Sequence, residues 1–280
     1  MHNTSSQVEI IRPWKDFDIR YALFDFDGTI SLIREGWQDI MIPYFAQVLQ
    51  EAAPEEDPQQ ILTCVRDFVD TLTGKQTIFQ CIRLNEEVMK RGGPERDPLV
   101  YKQEYLRRLE ERIHSRKQAL ESGAARPEDY LVPGVRPFID LLQQHGVRCY
   151  LASGTDEADV LYEAHLLGLD GVFEGGIHGA HDAVTTCSKE LVIRDMLEKE
   201  HIKPRELVSF GDGYVEVELV ANLGGLAIGA ATNEETRQGI NDWKRSRLIA
   251  AGANAIIPDF RAGQELYEAI GRDCHAVSAV

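Results

Sequence analysis

The stretch YALFDFDGTI, residues 21–30, places two carboxylates, Asp25 and Asp27, directly after a short apolar run. If the run is a strand, successive side chains alternate and both carboxylates point to the same side. Two like charges at that spacing repel each other, so they require a nearby cation or a shared proton. Such a pair could transfer a phosphoryl group, because one carboxylate can be the nucleophile and the other the general acid and base.

Polar residues also end two later apolar runs. Ser153 and Gly154 end the run VRCYLASGT, and Asp212 ends the run ELVSFGDG. Lys189 lies between them, at the predicted start of a helix. In open α/β sheets the ligand crevice lies outside the carboxyl ends of the strands. The sequence therefore predicts that these residues meet at the edge of the sheet where Asp25 lies.

The residue types in this set favour a magnesium ion and a phosphate. Asp25, Asp27 and Asp212 offer hard oxygen ligands, which Mg²⁺ prefers. Lys189 is a cation suited to a phosphate oxygen. The Ser153 hydroxyl and the backbone at 154 could donate hydrogen bonds to the same phosphate, near a helix N-terminus.

The candidate site residues are predicted to be positioned by two parts of the chain, an α/β core and an inserted group of helices. From Pro133 onward strands alternate with helices, which predicts βαβ units and a mostly parallel, doubly wound sheet. Residues 1–34 and 127–280 are assigned to this α/β core, and residues 35–126 to an inserted helical domain. The inserted helices are predicted from apolar residues at helical spacing over Trp37–Glu51, Pro58–Leu72, Thr77–Arg91 and Pro98–Glu121.

The secondary structure of three core segments is predicted in more detail. Residues 1–19 are predicted to be a loose arm that leads into a first strand over Tyr21–Phe26. Residues 171–176, GVFEGG, are predicted to contain a short strand. Residues 232–252 are predicted to be helical throughout.

Four motifs, taken in order, resemble those of the haloacid dehalogenase-like (HAD) hydrolase superfamily. They are DFDGT, the LASGT turn, Lys189 in SKE, and GDGYVE. The helical insertion after the first motif resembles the C1 cap of that superfamily. The resemblance implies a HAD-like α/β fold, a doubly wound, mostly parallel sheet core with an inserted all-helical C1 cap, and Mg²⁺ as cofactor.

The resemblance also implies a role for each motif residue. Asp25 would be the nucleophile and a metal ligand, and Asp27 the general acid and base with its backbone carbonyl on the metal. Lys189 would hold the phosphoryl group together with Ser153 and Gly154. Asp212 would be the third metal contact. At the position where many relatives carry a second aspartate this chain has Glu216, which would either join the metal site or form a salt bridge elsewhere.

Dehalogenases of the superfamily lack the aspartate that this chain has at Asp27. The resemblance therefore argues against a dehalogenase and favours phosphate-ester hydrolysis or phosphoryl transfer. It implies an Mg²⁺-dependent phosphatase acting on a small phosphorylated metabolite, such as a sugar phosphate or a phosphoglycolate-like acid. A phosphomutase of the β-phosphoglucomutase type and a non-catalytic protein that binds a phosphorylated ligand are the two alternatives. Arg34, Trp37 and Lys75, at the cap entrance and in a cap loop, are candidate specificity residues, with packing, hinge or surface roles as the alternatives.

The overall composition limits the partners. The chain has 280 residues and a formal net charge of −16, which argues against nucleic acid or an anionic membrane surface as the main partner. Its five cysteines form no CxxC pair. There is neither a signal-peptide core nor an apolar run of roughly 20 residues. We expect a reduced, cytoplasmic protein, a monomer or a homodimer.

His178 and His181 lie three residues apart in a glycine-rich segment with Asp182 adjacent. A metal site would need a third strong ligand there. The pair is therefore predicted to be solvated or to cap a turn, with substrate contact by His178 as the alternative.

Overall fold

The computed structural model describes residues 7–181, 188–199 and 201–271, with the side chains at 188 and 199 excepted. The described residues form one seven-stranded sheet. Its strands are β1 Glu9–Ile10, β2 Tyr21–Phe24, β3 Arg148–Asp156, β4 Ile177–Ala180, β5 Leu207–Gly211, β6 Leu226–Ala230 and β7 Ala255–Ile257. They lie in the order β1-β7-β6-β5-β2-β3-β4.

Strand β2 lies in the interior of the sheet, with β5 on one side and β3 on the other. Both pairings are parallel, and Tyr21 is level with Leu207 of β5 and Arg148 of β3. The carboxyl ends of these three strands therefore meet at one edge. Only β1 runs antiparallel, pairing Glu9 with Ile256 of β7. The predicted α/β class with a mostly parallel sheet is confirmed.

Helices cover both faces of the sheet. Ala22 and Phe24 of β2 belong to a buried cluster that includes Phe138, whereas Leu23 belongs to a second cluster with Ile193. Because successive strand residues face opposite sides, the two clusters lie on opposite faces. The core helices are α5 Val135–Gln144, α6 Glu157–Leu166, α7 Ser188–Lys199, α8 Tyr214–Leu223, α9 Asp242–Ala251 and α10 Gly263–Ile270.

Four helices lie between β2 and α5 in the chain, where the inserted cap is predicted. They are α1 Gln38–Ala52, α2 Pro58–Leu72, α3 Thr77–Lys90 and α4 Pro98–Glu121. The starts of α2 and α4 follow from local signals. Asp57 and Asp97 accept hydrogen bonds from the backbone N–H two residues on, and a proline occupies the first turn of each helix. The division into two domains at residues 34 and 127 stays a prediction.

The longest of these helices, α4, has 24 residues and is rich in charge. Within the described ranges, no helix combines the length and the apolar character that crossing a bilayer requires.

Three detailed predictions for the core were wrong. Residues 171–176 form turns rather than a strand, because Gly171 and Gly176 adopt positive φ of 68° and 96°, and β4 begins one residue later. The helix predicted over residues 232–252 is confined to α9; an isolated bridge between Thr232 and Ile240 closes the preceding loop. The predicted loose arm contains β1, which forms only because β7 offers it an edge.

Candidate active site

The structure brings the predicted site residues other than Glu216 to one cavity of about 90 Å³ at the carboxyl edge of the sheet. The cavity lies between the core and the cap helices. Its lining includes Asp25, Asp27, Ser153, Gly154, Lys189 and Asp212 from the core motifs, Arg34 where the chain leaves the core, and Trp37 and Lys75 from the cap side. Residues separated by up to 187 positions in the sequence therefore share one chamber.

Asp25 is almost fully enclosed at the end of β2. Its residue exposure is 5%, and its Oδ1 accepts a hydrogen bond from the backbone N–H of Phe26 at 2.8 Å. Lys189 Nζ lies 2.8 Å from the same oxygen. Burial raises the pKa of Asp25 well above its usual range, and the charge of Lys189 opposes that rise. A carboxylate held in this way is shielded from water and keeps one ammonium group beside it.

Lys189 also binds Glu216, whose Oε2 lies 2.7 Å from the ammonium. Burial by itself lowers the pKa of Lys189, but the carboxylates of Asp25 and Glu216 outweigh burial and raise it. Glu216 is 1% exposed, and its Oε1 accepts a hydrogen bond from Gly213 N–H at 3.1 Å. A Cβ atom at Gly211 would lie 1.9 Å from that Oε1, so glycine at 211 makes room for the Glu216 carboxylate.

The carboxylates suit a divalent cation. One ligand oxygen from each of Asp25, Asp212 and Glu216 lies within 4.8 Å of the others. All three are hard oxygen donors, which matches the preference of Mg²⁺. Thr29 helps to place Asp212, because its Oγ1 accepts a hydrogen bond from the Asp212 backbone N–H at 2.9 Å. The residues present therefore fit the ion that the sequence implies, and Glu216 lies within reach of it.

Asp27 has different partners from Asp25. Its Oδ2 accepts a hydrogen bond from Thr155 Oγ1 at 2.7 Å, and Ser153 Oγ lies 3.5 Å away. Its buried Oδ1 accepts no hydrogen bond from any described residue, and Arg34 Nε lies 3.9 Å from it. Burial raises the pKa of Asp27, and the charge of Arg34 opposes the rise. This carboxyl group is therefore suited to carry a proton.

Arg34 lies on the cavity wall but is held by the core. Its guanidinium donates to Glu163 at 2.8 Å and to Asp159 at 3.0 Å, both on α6. The Glu163 side chain is fully buried, and that of Arg34 is 9% exposed. The positive charge of Arg34 is thus largely balanced by two carboxylates. A specificity role for Arg34, and for its neighbour Trp37, stays a prediction.

The loop between α2 and α3 forms the roof of the cavity. A Cβ atom at Gly154 would lie 2.9 Å from the carbonyl oxygen of Lys75, and one at Gly213 would lie 3.2 Å from the Cα of Gly74. The loop therefore rests on the end of β3 and on the turn after β5, which carry the predicted phosphate and metal groups. Lys75, which lines the cavity, reaches it from this loop.

Four residues of the site were not assigned by sequence reasoning. Thr155 lies in the predicted SGT turn, but within that turn the phosphate role is predicted for Ser153 and Gly154. Thr29 lies inside the DFDGT motif. Lys244 and Glu234 lie near Asp212, in a segment predicted as one long helix. A lysine in the first turn of a helix opposes the helix dipole, and this signal could have singled out Lys244 had the start of α9 been placed correctly.

The histidine pair lies beside the core but outside this cavity. His178 Nε2 lies 3.2 Å from the carbonyl oxygen of Gly175, and His181 Nε2 lies 3.4 Å from Glu157 Oε2. Asp182 lies outside the described residues. The predicted lack of a metal at this pair stays a prediction.

The chain thus combines a mostly parallel α/β sheet, four helices inserted after β2, and a buried carboxylate paired with a lysine. The family model for haloacid dehalogenase-like hydrolases matches residues 19–224. This match spans most of the chain, which therefore belongs to that family. No curated protein sequence matches the chain significantly.

Solved structures with the same fold include three with different descriptions. A β-phosphoglucomutase from Clostridium difficile has a TM-score of 0.60 at 12% identity and covers 90% of this chain and 97% of its own. A haloacid dehalogenase-like protein of unknown function from Agrobacterium tumefaciens has a TM-score of 0.58 at 16% identity. The match covers 90% of this chain and 99% of that protein. A predicted phosphoglycolate phosphatase from Haemophilus somnus has a TM-score of 0.56 at 15% identity. The match covers 89% of this chain and 98% of that protein. At these identities the likeness concerns the fold alone.

Proposed function

We propose that this protein is an Mg²⁺-dependent phosphatase that forms an aspartyl-phosphate on Asp25. The observation that carries the proposal is the environment of Asp25. It is a buried carboxylate with Lys189 at 2.8 Å, and Asp212 and Glu216 supply ligand oxygens beside it. Structural ion pairs seldom combine burial, an adjacent cation and a cluster of oxygen donors at the wall of a cavity.

In the first step a carboxylate oxygen of Asp25 attacks the phosphorus in line with the ester oxygen that leaves. Asp27, with its raised pKa, donates a proton to that oxygen as the phosphorus–oxygen bond breaks. In the second step Asp27 removes a proton from water, which attacks the phosphorus and releases Asp25 and inorganic phosphate. The hydrogen bond from Thr155 to Asp27 orients this acid–base group.

The remaining residues bind the phosphoryl group and balance its charge. Lys189 lies beside the oxygen of Asp25, so it can contact a phosphate oxygen while compensating the nucleophile. Ser153 and the backbone at Gly154 line the same cavity and can donate hydrogen bonds. Mg²⁺, when bound by Asp25, Asp212 and Glu216, would neutralise charge that develops on the transferring group.

The lining of the cavity favours a small phosphorylated substrate. Trp37 and Lys75 line the cap side, so the leaving group would meet an aromatic ring and a cation. A sugar phosphate or a phosphoglycolate-like acid satisfies these conditions. The descriptions of two structural neighbours, a phosphoglycolate phosphatase and a β-phosphoglucomutase, name chemistry of the same kind.

The second candidate is a phosphomutase that uses the same aspartyl-phosphate. The observation that favours it is the contact of the cap loop with Gly154 and Gly213, because a closed cap would keep water from the intermediate. A mutase would return the phosphoryl group to another oxygen of the sugar. The products distinguish the two candidates: inorganic phosphate for the phosphatase, an isomerised sugar phosphate for the mutase.

The test is phosphate release from a panel of small phosphate esters, with and without Mg²⁺, by the wild-type protein and by Asp25→Asn. We expect metal-dependent release by the wild type. We expect none by the variant, because an amide cannot form the acyl phosphate. Circular dichroism and thermal unfolding would establish that the variant is folded.

Three results would contradict the phosphatase proposal. Conversion of a hexose 1-phosphate to its isomer without net release would establish the mutase. Binding of the esters, seen as a thermal shift without turnover of any kind, would indicate the binding-only alternative. Equal release by Asp25→Asn would show that Asp25 is not the nucleophile.

A further inference from the structure

A second buried lysine, Lys244, lies at the predicted metal site beside Asp212. Lys244 is 7% exposed, and its Nζ lies 2.6 Å from Asp212 Oδ2. The same ammonium group contacts Glu234 Oε1. An ammonium group removed from water requires compensating partners, and here two carboxylates provide them.

The backbone around Lys244 is arranged to bring it to this position. Asn241 is the N-cap of α9, and its side chain accepts a hydrogen bond from the Lys244 backbone N–H at 3.1 Å. Lys244 is thus the third residue of the helix, where the positive end of the helix dipole disfavours a cation. Glu234 comes from the preceding loop, which the bridge between Thr232 and Ile240 closes. Lys244 is therefore a buried cation at a helix position that disfavours one, and its partners, Asp212 and Glu234, lie at the edge of the sheet that carries the site.

The first motif limits where the Asp212 carboxylate can lie. Gly28 has a φ of +77°, and a Cβ atom there would lie 2.2 Å from Asp212 Oδ2 and 3.1 Å from Glu234 Oε1. The Asp212 carboxylate is therefore confined between Gly28 and Lys244. A carboxylate has two oxygens, so it can accept from a lysine with one and offer the other to a cation.

We propose that Lys244 is a positioning residue that, anchored by Glu234, orients the carboxylate of Asp212 for the divalent cation. The inference rests on the proposed Mg²⁺-dependent function and adds two residues to it. Partners that orient metal-binding carboxylates typically change metal affinity or activity by about 10- to 100-fold when they are replaced. Lys244 acts through Asp212 and does not itself contact the substrate.

The test measures Mg²⁺ binding directly, by isothermal titration of the full-length protein after treatment with a chelator. We expect Lys244→Met, which keeps most of the length of the side chain and removes its charge, to raise the Kd for Mg²⁺ by about 10- to 100-fold. We expect Glu234→Gln to raise the Kd by a smaller factor, because Lys244 then loses its anchor but keeps its contact with Asp212.

Arg245→Met is the matched control, because it removes a cation from the next residue of the same helix. Arg245 pairs with Glu9 on the outer strand and should leave the Mg²⁺ affinity unchanged. Circular dichroism and thermal unfolding of the metal-free variants would separate a change in metal affinity from a loss of the fold.

The other results have distinct meanings. Tighter Mg²⁺ binding by Lys244→Met would overturn the inference, because Lys244 would then be a cation that competes with the metal. Equal affinities of the folded wild type and Lys244→Met would overturn the inference and leave the proposed function intact. A wild-type protein that binds no Mg²⁺ would overturn the proposed metal dependence, and this inference with it.

Discussion

At the scale of single residues, Asp25 and Asp27 are two carboxylates of one motif in two environments. Asp25 is bound by Lys189, whereas Asp27 accepts a hydrogen bond from Thr155 and lies near Arg34. Strand β2 ends at Phe24, so the two aspartates lie in the turn after the strand rather than inside it. Carboxyl groups whose surroundings differ in this way can divide the roles of nucleophile and acid–base group.

This division predicts the effect of replacing Asp27. Asp27→Asn should lower kcat by about 100- to 10,000-fold, the range typical of a lost general acid–base group. The wild-type rate of aspartyl-phosphate formation should fall as the pH rises through the pKa of Asp27, because the proton donor is lost. Burial raises that pKa above the usual value of 3.8, so the decline should lie above pH 3.8.

The measurement is the pre-steady-state rate of aspartyl-phosphate formation as a function of pH, for the wild type and the variant. The variant should lack the alkaline decline. An unchanged pH profile in Asp27→Asn would assign the proton transfer to another group.

At the scale of elements, a charged cluster ties the end of α3 to the start of α2. Arg91 donates to Glu56 at 2.7 Å and to Glu87 at 2.6 Å, and Lys90 also contacts Glu87. Burial alone would raise the pKa of Glu87, but hydrogen bonds from Lys90 and Arg91 and the charge of Arg83 lower it to about 2. The Glu87 side chain is 8% exposed, so this cluster is screened less by solvent than a surface ion pair.

The lowered pKa predicts how the stability of the cap depends on pH. Because the folded-state pKa lies below the ordinary value of 4.5, the stabilisation by Glu87 is complete above pH 4.5 and is lost as the pH falls towards 2. Glu87→Gln should therefore reduce the free energy of unfolding by roughly 1 to 3 kcal/mol at pH 7. The difference from the wild type should narrow below pH 4.5.

Urea unfolding at pH 7, 4.5 and 3.5 would measure this difference. Glu86→Gln is the matched control, because Glu86 pairs with Arg83 but its side chain is 48% exposed. A destabilisation by Glu87→Gln that does not vary with pH would mean that packing, not charge, explains it.

At the scale of the whole molecule, the cavity that holds the predicted site residues lies between the cap helices and the core. Gly154 supports this contact, since any Cβ atom there would lie 2.9 Å from the carbonyl oxygen of Lys75. An ion pair also joins the two parts, because Lys102 Nζ of α4 lies 2.6 Å from Asp156 Oδ1 at the end of β3.

This contact predicts the effect of a larger side chain at residue 154. Gly154→Val keeps the backbone N–H but pushes the cap loop away, so kcat/KM should fall by about 100-fold, as expected for a displacement near 1 Å. The thermal stability should change little, because residue 154 lines the cavity and lies outside the buried hydrophobic core.

Limited digestion with trypsin at Lys75 would measure the opening of the cap loop. Cleavage after Lys75 should be faster in the variant than in the wild type. Full activity together with unchanged cleavage would mean that the loop tolerates the side chain and that Gly154 does not control closure.

The sequence by itself determined the features that depend on local chemistry. The starts of α2 and α4 follow from Asp-Pro pairs, because an aspartate cap and a proline act within one turn of a helix. The meeting of Asp25, Lys189 and Asp212 was predictable because the carboxyl ends of parallel strands form one edge. The roles of these residues in catalysis stay predictions.

Only the tertiary structure decided which groups hold these residues in place. Strand β1 has just two residues and exists because β7 provides its hydrogen-bond partners. Lys244 reaches Asp212 from 32 residues away, and Glu163 reaches Arg34 from 129 residues away. Such contacts carry no local pattern, because their stabilisation arises only when the fold has excluded water from both partners.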